Sequence, residues 1–92
     1  MKCNVTVRES FKKGLKSLPP DRAKAAIQTI ELFMQEPARP RFNYRQLQGS
    51  KGYFIINVKR GDRIILQKLD DNSYVALDVG PHDNIYRRWN RL

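Results

Sequence analysis

The chain has 92 residues, 40% of them apolar and 29% charged, which suits one globular domain and excludes a disordered or membrane-embedded chain. A single cysteine, Cys3, and a single histidine, His82, exclude an internal disulfide and fall far short of a zinc ligand set, so neither metal nor cofactor is expected. Eighteen Lys and Arg against nine Asp and Glu give a formal net charge of +9, which points to a nucleic acid or an acidic protein as partner.

The charge is unevenly spread. Residues 37–69 hold eight basic residues and one acidic, and residues 1–20 hold five and one, while the other two stretches are slightly acidic. The start, Met1 to Val7, lacks the apolar run of a signal peptide and no later stretch could span a bilayer, so the expected compartment is the cytoplasm.

Cys3 to Val7 has the β-branched alternation of a short strand. From Arg8 onward the pattern turns helical, with Phe11, Leu15 and Leu18 on one face and Lys12, Lys13 and Lys16 on the other. Pro19-Pro20 closes that helix and opens the next, with Asp21 favoured in its first turn. Ala23, Ala26, Ile27, Ile30, Phe33 and Met34 then form an apolar stripe that ends at Glu36-Pro37, completing a helical hairpin.

Residues 37–50 interleave Arg39, Arg41 and Arg45 with Phe42 and Tyr44. Cations that hold phosphates beside rings that stack on bases suit RNA, and a surface loop pinning its rings to a sheet edge gives the same pattern. Gly49 to Gly52 reads as a turn, and Tyr53 to Val58 as a strand apolar enough for the middle of a sheet. Lys59-Arg60-Gly61-Asp62 is a hairpin turn with glycine free to take positive φ, returning into Arg63 to Leu69. There Ile64 and Leu66 share one face, and Arg63, Ile65 and Gln67 the other.

A last strand starts at Tyr74, with Val75, Leu77 and Val79 as its buried set, and Gly80-Pro81 ends it. That alternation leaves Asp78 on the face of Arg63, near enough for an ion pair. A polar turn with His82 and Asp83 then leads into a short helix carrying Tyr86, Arg87, Arg88 and Trp89. The expected fold is a single α+β domain over residues 1–92. Its order is β-α-α-β-β-β with a short C-terminal helix, the helical hairpin covering one face of a mainly antiparallel sheet.

Three stretches together resemble the RelE/ParE superfamily of bacterial toxins: the hairpin FKKGLKSLPPDRAKAAIQTIELFMQEP, the strands LQGSKGYFIINVKRGDRIILQKL and the ending VALDVGPHDNIYRR. The resemblance implies a type II toxin–antitoxin toxin, neutralised by a cognate acidic antitoxin. It implies either a ribosome-dependent endoribonuclease that cuts mRNA and stops translation, or a ParE-like inhibitor of DNA gyrase. A non-enzymatic RNA-binding inhibitor is a further alternative. In the ribonucleases of the superfamily an arginine after the hairpin turn and a histidine or tyrosine near the C-terminus belong to the site, which implies catalytic roles for Arg63, His82 and Tyr86. Asn57 departs from the pattern, standing where many relatives carry an arginine.

Metal-independent RNA cleavage must deprotonate a ribose 2′-hydroxyl, stabilise a pentavalent phosphate and protonate the departing 5′-oxygen. Histidine is the side chain suited to moving protons near neutral pH, so His82 is the candidate acid or base. Arg63 is the candidate for the phosphate's developing charge, and Tyr86 for base stacking or proton transfer. Arg45, Lys59, Arg60, Arg87 and Arg88 are the candidate RNA contacts. Set against this, and leaving the resemblance aside, a lone histidine near a helix start is more often an ordinary loop residue than a catalyst, and Asp83 beside it reads as an N-cap.

Overall fold

Residues 4 to 81 build one five-stranded sheet in the order β1-β5-β4-β3-β2, with two helices on one face and a third on the other. The computed structural model describes residues 2–89. Strand β1 is Asn4–Val7, α1 Glu9–Lys16, α2 Pro20–Gln35, β2 Arg45–Gln46, β3 Tyr53–Asn57, β4 Asp62–Asp70, β5 Ser73–Pro81 and α3 His82–Trp89. All pairings are antiparallel except β1 with β5. That parallel pair follows from the helical hairpin, which carries the chain across the sheet between β1 and the later strands. The expected α+β order is present, with the two-residue β2 added at the edge.

Pro20 stands in the first turn of α2, where its missing donor costs nothing, and Asp21 lies beside it. Ala26, Ile30 and Phe33 of α2 join Phe11 of α1 and Leu18 of the joint after it in a core with Ile56, Ile64, Leu66, Ala76 and Val79. Two positions correct the expected stripe. Ile27 is 46% exposed, and the buried place beside Ile30 goes to Thr29, whose hydroxyl is satisfied by donating to the Ala25 carbonyl at 2.8 Å.

Strand β3 was expected mid-sheet but lies next to the edge, with only β2 outside it; the centre is β4. Its apolar character has another cause: both faces are covered, Ile56 meeting the hairpin helices and Ile55 meeting α3. The apolar set of β5 also divides. Leu66 pairs with Ala76 and Ile65 with Asp78, so Leu77 is an extra residue on β5 and the alternation breaks there. Val75 and Leu77 therefore face α3, while Val79 returns to the hairpin core.

Gly80 and Pro81 are the last two residues of the strand and not a break after it, because Arg63 pairs with Gly80 and Asp62 with Pro81. No turn intervenes between strand and helix: β5 runs to Pro81 and His82 is the first residue of α3. The helix is held down by Ile85, fully buried against Leu47, Ile55, Ile65, Val75 and Leu77, and by Trp89, which meets Tyr53 edge-on at 5.8 Å.

Candidate functional site

The direct passage from β5 into α3 decides where the chemistry lies. It sets His82 in the first turn of α3 at the end of the sheet where β3 finishes and β4 begins. One turn later Tyr86 comes round to the same side, its ring meeting the His82 imidazole at 4.5 Å between centroids and 67° between planes. The side chain of His82 is half exposed, and its Nδ1 lies 3.2 Å from Asp83 Oδ1, so one ring nitrogen faces a carboxylate and Nε2 is left for another partner.

Tyr86 is tied to the sheet by Arg45. The guanidinium donates through Nη2 to Tyr86 Oη at 3.0 Å, and through Nη1 to Asn57 Oδ1 at 3.1 Å and to the Asn43 carbonyl at 2.6 Å. The register explains the convergence. Arg45 is opposite Ile55 on β3, Asn57 is two residues further along the same face, and Asn57 is opposite Arg63 on β4. Arg63 in turn is opposite Gly80 on β5, two residues before His82.

Arg63 is half-buried and anchored by Nη1, which donates to the Asp62 carbonyl at 3.0 Å. Its Nε is buried without a hydrogen-bond partner among the described residues. A guanidinium fixed at one end with donors unspent is suited to an incoming oxyanion. The Arg63–Asp78 ion pair expected from strand alternation does not form. Asp78 Oδ2 instead accepts from Arg88 Nε at 2.8 Å and from Trp89 Nε1 at 2.9 Å, clamping the last turn of α3.

Four of the residues picked out from sequence, His82, Tyr86, Arg45 and Arg63, thus share one end of one sheet face. None of the other four is hydrogen-bonded to this group among the described residues. Lys59 and Arg60 lie in the turn between β3 and β4, where Arg60 takes the left-handed conformation at φ 64° and reaches Asp21 on α2 at 2.9 Å, toward the helical hairpin. Next to it, Asp62 is fully buried and receives both Nε and Nη2 of Arg22, a bidentate pair whose hydrogen bond raises the pKa of the Arg22 guanidinium. Arg87 and Arg88 lie elsewhere on α3, lining a cavity of about 910 Å³ with Lys13 and Gly14 of α1 and with Gly80 and Pro81.

The basic and aromatic loop divides between its two readings. Phe42 is fully buried, and the Tyr44 ring, although 37% exposed, is stacked against Phe33 at 6.1 Å and Phe54 at 4.7 Å, so both rings are engaged by the fold. Burial, with the Tyr74 hydroxyl beside it, pushes the Tyr44 phenol above its ordinary range. From this stretch Arg45 reaches the neighbour of His82, through its hydrogen bond to Tyr86. The residue that sequence reasoning undervalued is Asn57: a lone polar side chain in an otherwise apolar strand, opposite Arg63, was the available signal.

The sequence matches no protein-family model and no curated protein. Solved structures do match over nearly the whole chain. The toxin–antitoxin complex RelBE2 of Mycobacterium tuberculosis aligns with a TM-score of 0.72 at 21% identity, over 88% of this chain and 99% of that one. A mutant of the E. coli toxin RelE in the free state gives 0.71 at 15% identity, over 99% and 97%. The E. coli DinJ-YafQ toxin–antitoxin complex gives 0.66 at 20% identity, over 94% and 99%. At such identities the likeness speaks for architecture: this chain has the RelE-like α+β fold.

Proposed function

We propose that this chain is the toxin of a type II toxin–antitoxin system and that it cleaves mRNA on the ribosome. The observation that carries the reading is the convergence of His82, Tyr86, Arg45 and Arg63 on one end of the sheet, in a fold whose solved examples include toxins bound to antitoxins. Such a set covers the needs of metal-independent RNA cleavage: a proton carrier, a half-buried cation with unspent donors for the phosphate, and a hydroxyl. Excess positive charge supplies the salt-dependent attraction to RNA on which the ribosome-bound message lies.

The same reading makes the chain one toxin domain acting in the cytoplasm; among the described residues no helix is long and apolar enough to cross a membrane. Its partners are an acidic antitoxin, the ribosome and mRNA. RelBE2 and DinJ-YafQ are complexes of toxin with antitoxin, and the surplus of cations in residues 37–69 favours an acidic partner segment here.

The test adds purified protein to a translating extract and maps the ends of the message, with a gyrase supercoiling assay run in parallel. Cuts within ribosome-covered codons support the proposal. Intact messages together with blocked supercoiling would replace it with a gyrase inhibitor.

A further inference from the structure

Resting on the ribonuclease reading, the geometry points to Tyr86 as the proton donor to the leaving 5′-oxygen, with Arg45 and Asn57 as the positioning residues that aim its hydroxyl. The direction of one hydrogen bond carries this. A guanidinium has donors and no acceptor, so in the 3.0 Å contact between Arg45 Nη2 and Tyr86 Oη the tyrosine oxygen is the acceptor. The Tyr86 hydroxyl hydrogen therefore cannot point at Arg45. It is turned away from the sheet-bound guanidinium, and the ring stands edge-on to the exposed imidazole of His82.

Arg45 is poorly placed to act as a loose grip on RNA. Nη1 is spent on Asn57 Oδ1 and the Asn43 carbonyl, and Nη2 on Tyr86. Asn57 is a side chain of β3 and Asn43 supplies a backbone carbonyl, so the guanidinium is held on two sides before it reaches the tyrosine. Where an arginine at position 57 would repel Arg45, the amide oxygen of Asn57 holds it.

In the resulting step the 2′-hydroxyl proton passes to Nε2 of His82, and the 2′-oxygen forms its bond to phosphorus. The bond from phosphorus to the 5′-oxygen breaks, and the Tyr86 hydroxyl proton goes to that oxygen. A 2′,3′-cyclic phosphate and a 5′-hydroxyl end leave. The imidazolium on His82 and the phenolate on Tyr86 are restored by exchange of one proton through water. While the negative charge resides on Tyr86, it faces the Arg45 guanidinium, so the residue that orients the donor also stabilises its spent form.

The experiment uses programmed ribosomes carrying either an ordinary message or one with sulfur in place of the bridging 5′-oxygen at the cleaved position. A thiolate departs without needing a proton. On the ordinary message Tyr86→Phe should lose about 10²–10⁴-fold in single-turnover rate, the usual worth of a placed acid. Arg45→Ala and Asn57→Ala should lose less. On the sulfur message all three should return to within a few-fold of wild type, on the order of the residual misplacement left when one orienting group is gone. His82→Ala should be slow on both messages. A Tyr86→Phe variant equally slow on both would overturn the assignment while leaving the ribonuclease reading intact. Failure of the wild type to cut either message would instead overturn the ribonuclease reading itself.

Discussion

A Cβ atom placed on Gly14 would stand 2.5 Å from the carbonyl oxygen of Val79, so α1 lies along the edge of β5 at a separation that only glycine permits. Strand β1 ends its pairing with β5 at Ala76, and beyond that point α1 takes over the edge, Ser10 donating its hydroxyl to the Leu77 carbonyl. Gly14→Ala is favourable in an isolated helix, by up to about 1 kcal/mol. In this fold the sign reverses, because the nearest atom is backbone and cannot swing aside. Overpacking of this kind should cost about 1–3 kcal/mol. Urea unfolding checks it, with Gly52→Ala as the control, since nothing lies within 4 Å of that position.

Asp78 fixes the far end of α3. Its carboxylate, in a residue only 6% exposed, accepts from Arg88 Nε and Trp89 Nε1 on Oδ2 and from the Val79 amide on Oδ1. An eight-residue helix has little stability of its own, so α3 depends on this clamp and on Ile85. Asp78→Ala should lower stability by about 1.5–3 kcal/mol, the scale of hydrogen bonds that involve a charged group. Amide exchange in α3 should rise while β4 stays protected. Uniform change across both elements would show that the carboxylate supports the sheet rather than the helix.

Much of this architecture is readable in the chain. The two-proline joint, the spacing of Ala26, Ile30 and Phe33 and the three late strands gave the α+β order with the hairpin on one face. What alternation could not reveal was the extra residue at Leu77, because a bulge leaves no mark in a strand that is buried on both faces. That hidden bulge explains why Val75 and Leu77 face α3 while Val79 meets the hairpin as expected; Asp78, opposite Ile65 on the face of Arg63, is taken instead by Arg88 and Trp89 of the helix that covers that face. At the site, His82, Tyr86 and Arg63 stood out as the chain's lone histidine and its neighbours in pattern, yet Asn57 and Arg45 acquire their relation only from strand register. The strand does end at Gly80-Pro81, but the expected polar turn after it is absent for a local reason. Proline was tolerated at the end of β5, where the strand hands over directly to a helix that accepts a fixed φ.

Positive charges on this surface should not be interchangeable. Lys12 lies on α1, 3.4 Å from Glu9 and well exposed, and adds only diffuse attraction. Arg63 is held by the Asp62 carbonyl at the meeting point of β3, β4 and β5. Arg63→Ala should reduce message cleavage by about 10²–10³-fold, as loss of one charge-stabilising donor does, against less than about two-fold for Lys12→Ala. Rates on programmed ribosomes, with thermal melts to confirm folding, supply the comparison. Equal losses would reduce the basic surface to an unspecific grip.

His82 separates an enzyme from a binding module most sharply. If its imidazole carries a proton, His82→Ala should lower single-turnover cleavage by about 10²–10⁴-fold. Ribosome and antitoxin binding should hardly change, since the side chain is half exposed and belongs to neither core cluster. His82→Gln retains polar reach toward Asp83 and an edge toward the Tyr86 ring, but it cannot take a proton near neutral pH. It should therefore be nearly as slow as alanine. Full activity in His82→Gln would remove this residue from proton transfer and leave Arg63 and Tyr86 to act with a group that the ribosome supplies.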